Sequence, residues 1–160
     1  MIDRQESEIS TNLPPAPYRL RLPGPTAVPE CIRTAMAQPM LAHRGPEFSA
    51  ILLEVERKLK PIFGTENRIL MAAATGTGMM EACLVNVLKA GERILVVVNG
   101  QFGERFAAIG RALGVGVDTL EVPWGEAVDP SDIETRVGTH DYRAVVLVHN
   151  ESSTGIVAEL

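Results

Sequence analysis

The sequence predicts an α/β domain built on a mostly parallel sheet with helices on both faces. Apolar runs at 68–74, 93–98, 115–122 and 143–148 read as strands, and helix-patterned stretches separate them. The run Leu95-Val-Val-Val98 is continuously apolar, the mark of a strand buried on two sides. Alternation of strands and helices at this spacing means parallel strands joined by crossover helices. In such sheets ligands collect where the C-terminal ends of the strands give way to loops.

Residues 1–19 begin polar and end in Leu13-Pro-Pro-Ala-Pro17, a composition expected of a flexible arm. The turn-rich segment Leu22-Pro-Gly-Pro-Thr26 has neither period. Pro29 can occupy the first position of a short helix that runs to about Ala37, with Pro39 beyond it. His43-Arg44-Gly45 is a second irregular link. Pro46 then opens a longer helix over 46–63, with Phe48, Ile51, Leu52, Val55, Leu59 and Ile62 on one face and the pair Glu54/Lys58 on the other.

The strand at 68–74 leads through two Thr-Gly pairs into a helix over 78–89. The strand at 93–98 leads through Asn99-Gly100-Gln101-Phe102-Gly103 into a helix over 104–113, whose Phe106, Ile109 and Leu113 face inward and which stops at Gly114. After the strand at 115–122, Asp129-Pro130-Ser131-Asp132 supplies an N-cap, a first-turn proline and a first-turn acid for a helix to about Val137. The strand at 143–148 runs into Glu151-Ser-Ser-Thr-Gly155.

Composition bounds the function. At 160 residues, with 46% apolar and 22% charged residues, the chain has material for one domain with a real core. A net charge of -5 leaves no basic footprint for nucleic acid or an anionic membrane. No apolar run approaches the roughly 20 residues that span a bilayer. The acidic start has no apolar signal core, so export is not expected and cytoplasm is the default location. Cys31 and Cys83 are isolated, which predicts free thiols. His43, His140 and His149 show no metal-ligand spacing with them.

Three loops leave the strand ends with polar or aromatic groups: 75–78, 99–103 and 149–155. At the first, a strand passing through small residues into a helix leaves N–H groups unpaired at the positive end of the helix dipole. Thr75 and Thr77 add hydroxyls, and Gly76 lets an anion approach the backbone. Two readings stay open on this stretch alone, a phosphate cradle and the ordinary turn of any such domain. Phe102 is likewise either a core aromatic or a ring capping a pocket. Together with Ser152, Ser153 and Thr154, these groups suit a flat, phosphorylated aromatic ligand.

Pro23-Gly-Pro-Thr26, His43-Arg44, Glu47-Phe48, Ala74-Thr-Gly-Thr-Gly78 with Glu81-Ala82, Asn99-Gly-Gln-Phe-Gly-Glu-Arg105, Trp124-Gly125, Asp129-Pro130 and His149-Asn-Glu-Ser-Ser-Thr-Gly155 occur in that order. From about residue 20 onward the chain resembles the class V aminotransferases, most closely their alanine–glyoxylate and serine–glyoxylate branch. The resemblance implies a three-layer, mostly parallel large domain of the pyridoxal 5'-phosphate (PLP) fold type I, here incomplete, in an enzyme that works as a homodimer. It implies three regions: an arm at 1–19, an N-terminal segment at 20–67, and the first half of the PLP-binding domain at 68–160. Thr75, Gly76 and Thr77 correspond to the phosphate turn, Phe102 to the residue that stacks on the pyridine ring, and Ser152 to the hydroxyl that bonds the phenolic oxygen. Gly24 lines the substrate side in relatives, and His43 and Arg44 fall near the dimer contact. Some relatives carry His at the position of Thr77, so a ring is lost there while a hydrogen-bonding group is kept.

Transamination with PLP also needs a Schiff-base lysine and an acid beside the pyridine nitrogen. The lysines here are Lys58, Lys60 and Lys89, none at a strand end. In the family both groups follow the Ser-Ser-Thr-Gly motif, as does the arginine for the substrate carboxylate. The expectation is therefore the N-terminal portion of an aminotransferase that moves an amino group from alanine or serine to a 2-oxo acid such as glyoxylate, inactive alone and with no catalytic residue of its own. Two alternatives are a non-catalytic binding or dimerisation module and a nicotinamide-dinucleotide domain. The second has Glu81 where its third glycine belongs and lacks a ribose-binding acid after Val98. A hydrolytic pairing of His149 with Ser152 lacks an orienting acid.

Overall fold

The computed structural model describes residues 19–159. It divides into two compact units, the first ending at Ile69 and the second starting at Leu70. Apart from Arg19, the arm expected at 1–19 lies outside the described residues.

Among its described residues the first unit holds two helices, α1 (Glu30–Met36) and α2 (Pro46–Phe63). Pro29 is the N-cap of α1, one residue earlier than expected, and Glu30 is its first helical residue. The bounds of α2 are those expected. Pro46 needs no N–H in the first turn, and Gly64, at φ 58, takes the left-handed conformation that ends the helix. Glu54 forks onto Arg57 at 2.8 Å and meets Lys58 at 3.3 Å, contacts that, Arg57 first, hold its carboxyl well below the usual carboxylate range. The apolar stripe is exposed along much of its length, at Ile51, Leu52, Val55 and Ile62.

The second unit is the α/β part: α3 (Gly76–Val87), β1 (Arg93–Val98), α4 (Gln101–Ala112), β2 (Gly116–Glu121), α5 (Pro130–Val137), β3 (Ala144–Val146), β4 (Asn150–Glu151) and β5 (Ile156–Val157). The order β2-β1-β3 is parallel throughout, with Arg93 opposite Gly116 and Ile94 opposite Ala144. From Ile94 to Val98 the central strand β1 is buried on both faces, with Arg93 exposed at its start. Ile94, Val96 and Val98 join Leu84 of α3 and Ala107 of α4 in the core, with Phe106, Ile109 and Leu113 packed against it as their spacing predicts. Leu95 and Val97, on the opposite face, are also shut off from solvent.

Four expectations need correcting. Residues 68–74 do not form a strand; they run as irregular chain, and Leu70 is 85% exposed. A strand needs a neighbour for its N–H and C=O groups, and among the described residues none pairs with this stretch. The N–H of Ile69 donates instead to Glu56 of α2 at 3.3 Å. Helix α3 starts at Gly76, two residues before the expected 78, and α4 starts at Gln101, three before the expected 104. The strand at 143–148 shortens to Ala144–Val146, and the chain turns into the antiparallel pair β4–β5.

Candidate functional site

Thr75 is the N-cap of α3. Its Oγ1 accepts from the N–H of Gly78 at 3.1 Å, so one orphan donor of the first turn is satisfied and Gly76 and Thr77 lie inside the helix. The two Thr-Gly pairs are thus a capped helix start, not a free-standing turn. Thr75, Gly76 and Thr77 are exposed, and a Cβ at Gly76 would meet nothing within 4 Å. Among the described helices α3 alone carries no acid in its first turn; Glu30, Glu47, Glu104 and Asp132 stand at that place in the others. Its positive end is left uncompensated from within the helix.

A cation adds to that potential. A guanidinium N–H of Arg105, from α4, donates to Thr77 Oγ1 at 2.8 Å, and the same guanidinium lies 5.5 Å from the centre of the Phe102 ring. Arg105 therefore bridges the phosphate-turn candidates and the ring candidate. Phe102 sits in the first turn of α4, not in a loop, because that turn is capped from elsewhere in the chain.

The cap is Glu151, 1% exposed at the end of β4. Its Oε2 accepts from the N–H groups of Phe102 at 3.0 Å and Gly103 at 3.2 Å, while Oε1 accepts from the Ser153 N–H at 3.2 Å and hydroxyl at 2.6 Å. The Gln101 N–H donates to Ser153 Oγ at 2.9 Å. Ser152 stands between these two residues, exposed, and among the described residues its hydroxyl has no protein partner. Thr75, Gly76, Thr77, Phe102 and Ser152 are thereby connected through Arg105 and Glu151, two residues that sequence reasoning passed over as site components. The signal was available: both belong to the quoted motifs 99–105 and 149–155.

Gly24 is exposed in a bend of the first unit, before the cis peptide to Pro25. His43 and Arg44 are also exposed in that unit. Within the second unit, Lys89 follows the C-terminal end of α3, about 18 Å along a 12-residue helix from Thr75. Lys58 and Lys60 are engaged in the first unit, with Glu54 at 3.3 Å and the Glu66 carbonyl at 2.7 Å. A cavity of about 550 Å³ lies at the other end of the sheet, lined by Arg93, His140, Tyr142 and Arg143 among others.

Comparisons with known proteins bear on this cluster. No family model matches the chain. It is 40% identical over 144 residues to the soluble hydrogenase 42 kDa subunit of Anabaena cylindrica, covering 88% of this chain and 38% of that protein. It is 34% identical over 144 residues to the L-aspartate–glyoxylate aminotransferase of Paracoccus denitrificans, covering 87% and 36%. Among solved structures, the alanine–glyoxylate aminotransferase from Nostoc sp. superposes with a TM-score of 0.84 at 30% identity, over 94% of this chain and 42% of that one. The chain spans about 36–38% of the length of such curated relatives.

Proposed function

Because this chain belongs to the class V aminotransferases, as the counterpart of the N-terminal 36–38% of the alanine/serine–glyoxylate type, we propose that it forms the coenzyme-gripping portion of a PLP-dependent aminotransferase. The reaction assigned to the whole enzyme moves an amino group from a small amino acid, alanine or serine, to a 2-oxo acid such as glyoxylate. PLP, when bound, supplies the aldehyde that takes up the amino group and a ring that withdraws electrons from the substrate carbon. The chain's residues bind and orient. Thr75, Gly76 and Thr77 would offer N–H and O–H donors to the phosphate at the positive end of α3, Arg105 would add charge beside Thr77, Phe102 would supply a surface for the ring, and Ser152 would donate to the phenolic oxygen.

In this reading residues 68–160 are the first half of the coenzyme domain, Gly24 of the 20–67 segment is a substrate-binding residue, and the enzyme is a cytoplasmic homodimer. Among the described residues no helix is long and apolar enough to cross a membrane. The observation that carries the reading is the continuous contact path Thr77–Arg105–Phe102–Glu151, with Ser152 next in sequence. It supports the reading by linking the candidate groups for phosphate, ring and phenolic oxygen within one unit of the chain.

The 160-residue chain alone is expected not to transaminate: Lys58 and Lys60 are engaged with Glu54 and the Glu66 carbonyl, and Lys89 follows the far end of α3 from Thr75. Titration of the chain with PLP tests this. Saturable binding weakened at least tenfold by Thr77→Val or Arg105→Met supports the reading, as does the absence of amino transfer between alanine and glyoxylate. Binding indifferent to both substitutions, or turnover by the chain alone, overturns it. The name of the Anabaena relative opens a second reading, a subunit of a hydrogen-oxidising assembly. Hydrogen-dependent dye reduction, assayed on the same preparation, separates the two.

A further inference from the structure

We infer that Glu151 is a positioning residue that holds the ring platform and the hydroxyl loop of this site in register. The inference rests on the coenzyme reading for its purpose, and on geometry for its substance. A helix leaves its first N–H groups without partners, and α4 has no side-chain cap from its own N-cap residue, Gly100. The partners come from about fifty residues away. Gln101 donates to Ser153 Oγ, and Phe102 and Gly103 donate to Glu151 Oε2. The other carboxylate oxygen holds the N–H and hydroxyl of Ser153, and the backbone carbonyl of Glu151 accepts from Thr154 at 3.1 Å and Gly155 at 2.9 Å. One residue thus fixes the start of α4 through its side chain and the 152–155 turn through both side chain and backbone.

The fit around the carboxylate is close. A Cβ on Gly100 would fall 2.4 Å from Glu151 Cγ, 2.6 Å from its Cδ and 2.7 Å from Ser153 Oγ. The φ of Gly100 is 171°, extended backbone open to any residue, so glycine is required there for room. Phe102 is held through its own N–H, and Ser152 is held because both of its neighbours are. A slack joint here would let the ring and the hydroxyl drift apart while leaving the Thr75–Thr77 turn untouched.

That asymmetry is the test. In the full chain, Glu151→Ala and the shape-preserving Glu151→Gln are compared with the unaltered protein by amide hydrogen exchange and by affinity for PLP and for inorganic phosphate. Glu151→Ala should speed exchange at Phe102 and Gly103 by at least about tenfold, the loss expected for bonds to a charged acceptor, with the amides of Ile94–Val98 unchanged. It should weaken PLP at least tenfold while phosphate changes less than about twofold. Glu151→Gln, which keeps one acceptor oxygen, should recover part of both effects. Unchanged exchange at Phe102 and Gly103 overturns the inference, and so does an equal loss of PLP and phosphate, since that marks general loosening. If the unaltered chain binds phosphate yet shows no preference for PLP, the coenzyme reading fails, and with it the purpose assigned to Glu151. The exchange rates then decide separately whether the joint itself exists.

Discussion

Substituting Gly103 by alanine should destabilise the second unit, although alanine is the better helix former. Helix α4 lies on the central strand through a face of small residues, Gly103, Ala107 and Gly110, all buried. A Cβ at 103 would sit 2.7 Å from the Val97 carbonyl oxygen and 2.9 Å from Val98 Cα, backbone atoms of a strand that has no room to move. At 110 the atoms met are side-chain ends, Val117 Cγ2 at 2.9 Å and Ile94 Cδ1 at 3.1 Å, which can rotate aside. At 76 nothing is met within 4 Å. Alanine gains about 1 kcal/mol of helix propensity in a helix interior and less in a first turn, whereas overpacking a tight core costs about 1–3 kcal/mol. The rigid obstacle at 103 puts that cost at the upper end. Gly103→Ala should therefore lose about 1–2 kcal/mol net, Gly110→Ala should lie near zero, and Gly76→Ala should be neutral or slightly stabilising. Urea unfolding of the full chain followed by circular dichroism measures all three, with a common m-value licensing the comparison. A Gly103→Ala midpoint at or above that of Gly76→Ala would refute the reasoning.

Thr75→Ala should cost about 1 kcal/mol by removing the acceptor for the Gly78 N–H, and Thr75→Ser should recover most of it in the same unfolding assay. Asp118 accepts from the Tyr142 hydroxyl and pairs with Arg93, both at 2.7 Å. Those contacts, Tyr142 first, hold its carboxyl below the ordinary aspartate range. A carboxyl lowered in the folded state adds stability above its unfolded value, near about 3.9, and loses it as the pH falls through the folded value. The melting-temperature gap between the unaltered chain and Tyr142→Phe should then be full at pH 7 and shrink below about pH 4. A gap independent of pH would show that Tyr142 acts through packing alone.

What could be read from the sequence was whatever its neighbours in sequence decide. The bounds of α2 follow from Pro46 and Gly64, those of α5 from Asp129, whose side chain accepts from the Ser131 N–H at 2.8 Å, and the burial of β1 from its unbroken apolar run. The start of α4 was not readable in this way. Its cap is a carboxylate about fifty residues downstream, and a local reading of Asn99-Gly-Gln-Phe-Gly103 sees only turn formers. Separation along the chain also hid Glu151 and Arg105, whose bond to Thr77 spans 28 residues: motif matching located their segments, and only three-dimensional proximity distinguishes their work from that of Ser152. Strand pairing is the other non-local quantity. The run at 68–74 has the composition of a strand, but composition supplies no partner.

That last difference raises the question of what holds Thr75 in place if the segment before it is not part of a sheet. The structure answers through α3. Leu84 is 3% exposed against Ile94, Val96 and Val98, with Leu88 packed beside it, and the Arg105 bond to Thr77 ties the other end of the helix to α4. The segment entering the helix contributes no comparable burial, with Leu70 at 85% and Met71 at 44% exposure. Leu84→Ala should accordingly cost about 2–5 kcal/mol, the range for truncating a buried leucine. Leu70→Ser should fall within about 0.5 kcal/mol of the unaltered chain, as exposed substitutions do. Urea unfolding distinguishes the two outcomes cleanly. Were Leu70→Ser to destabilise the chain as much as Leu84→Ala, the 68–74 segment would have to be buried in the folded protein, and the anchorage of the Thr75–Thr77 turn would pass from the helix back to a strand.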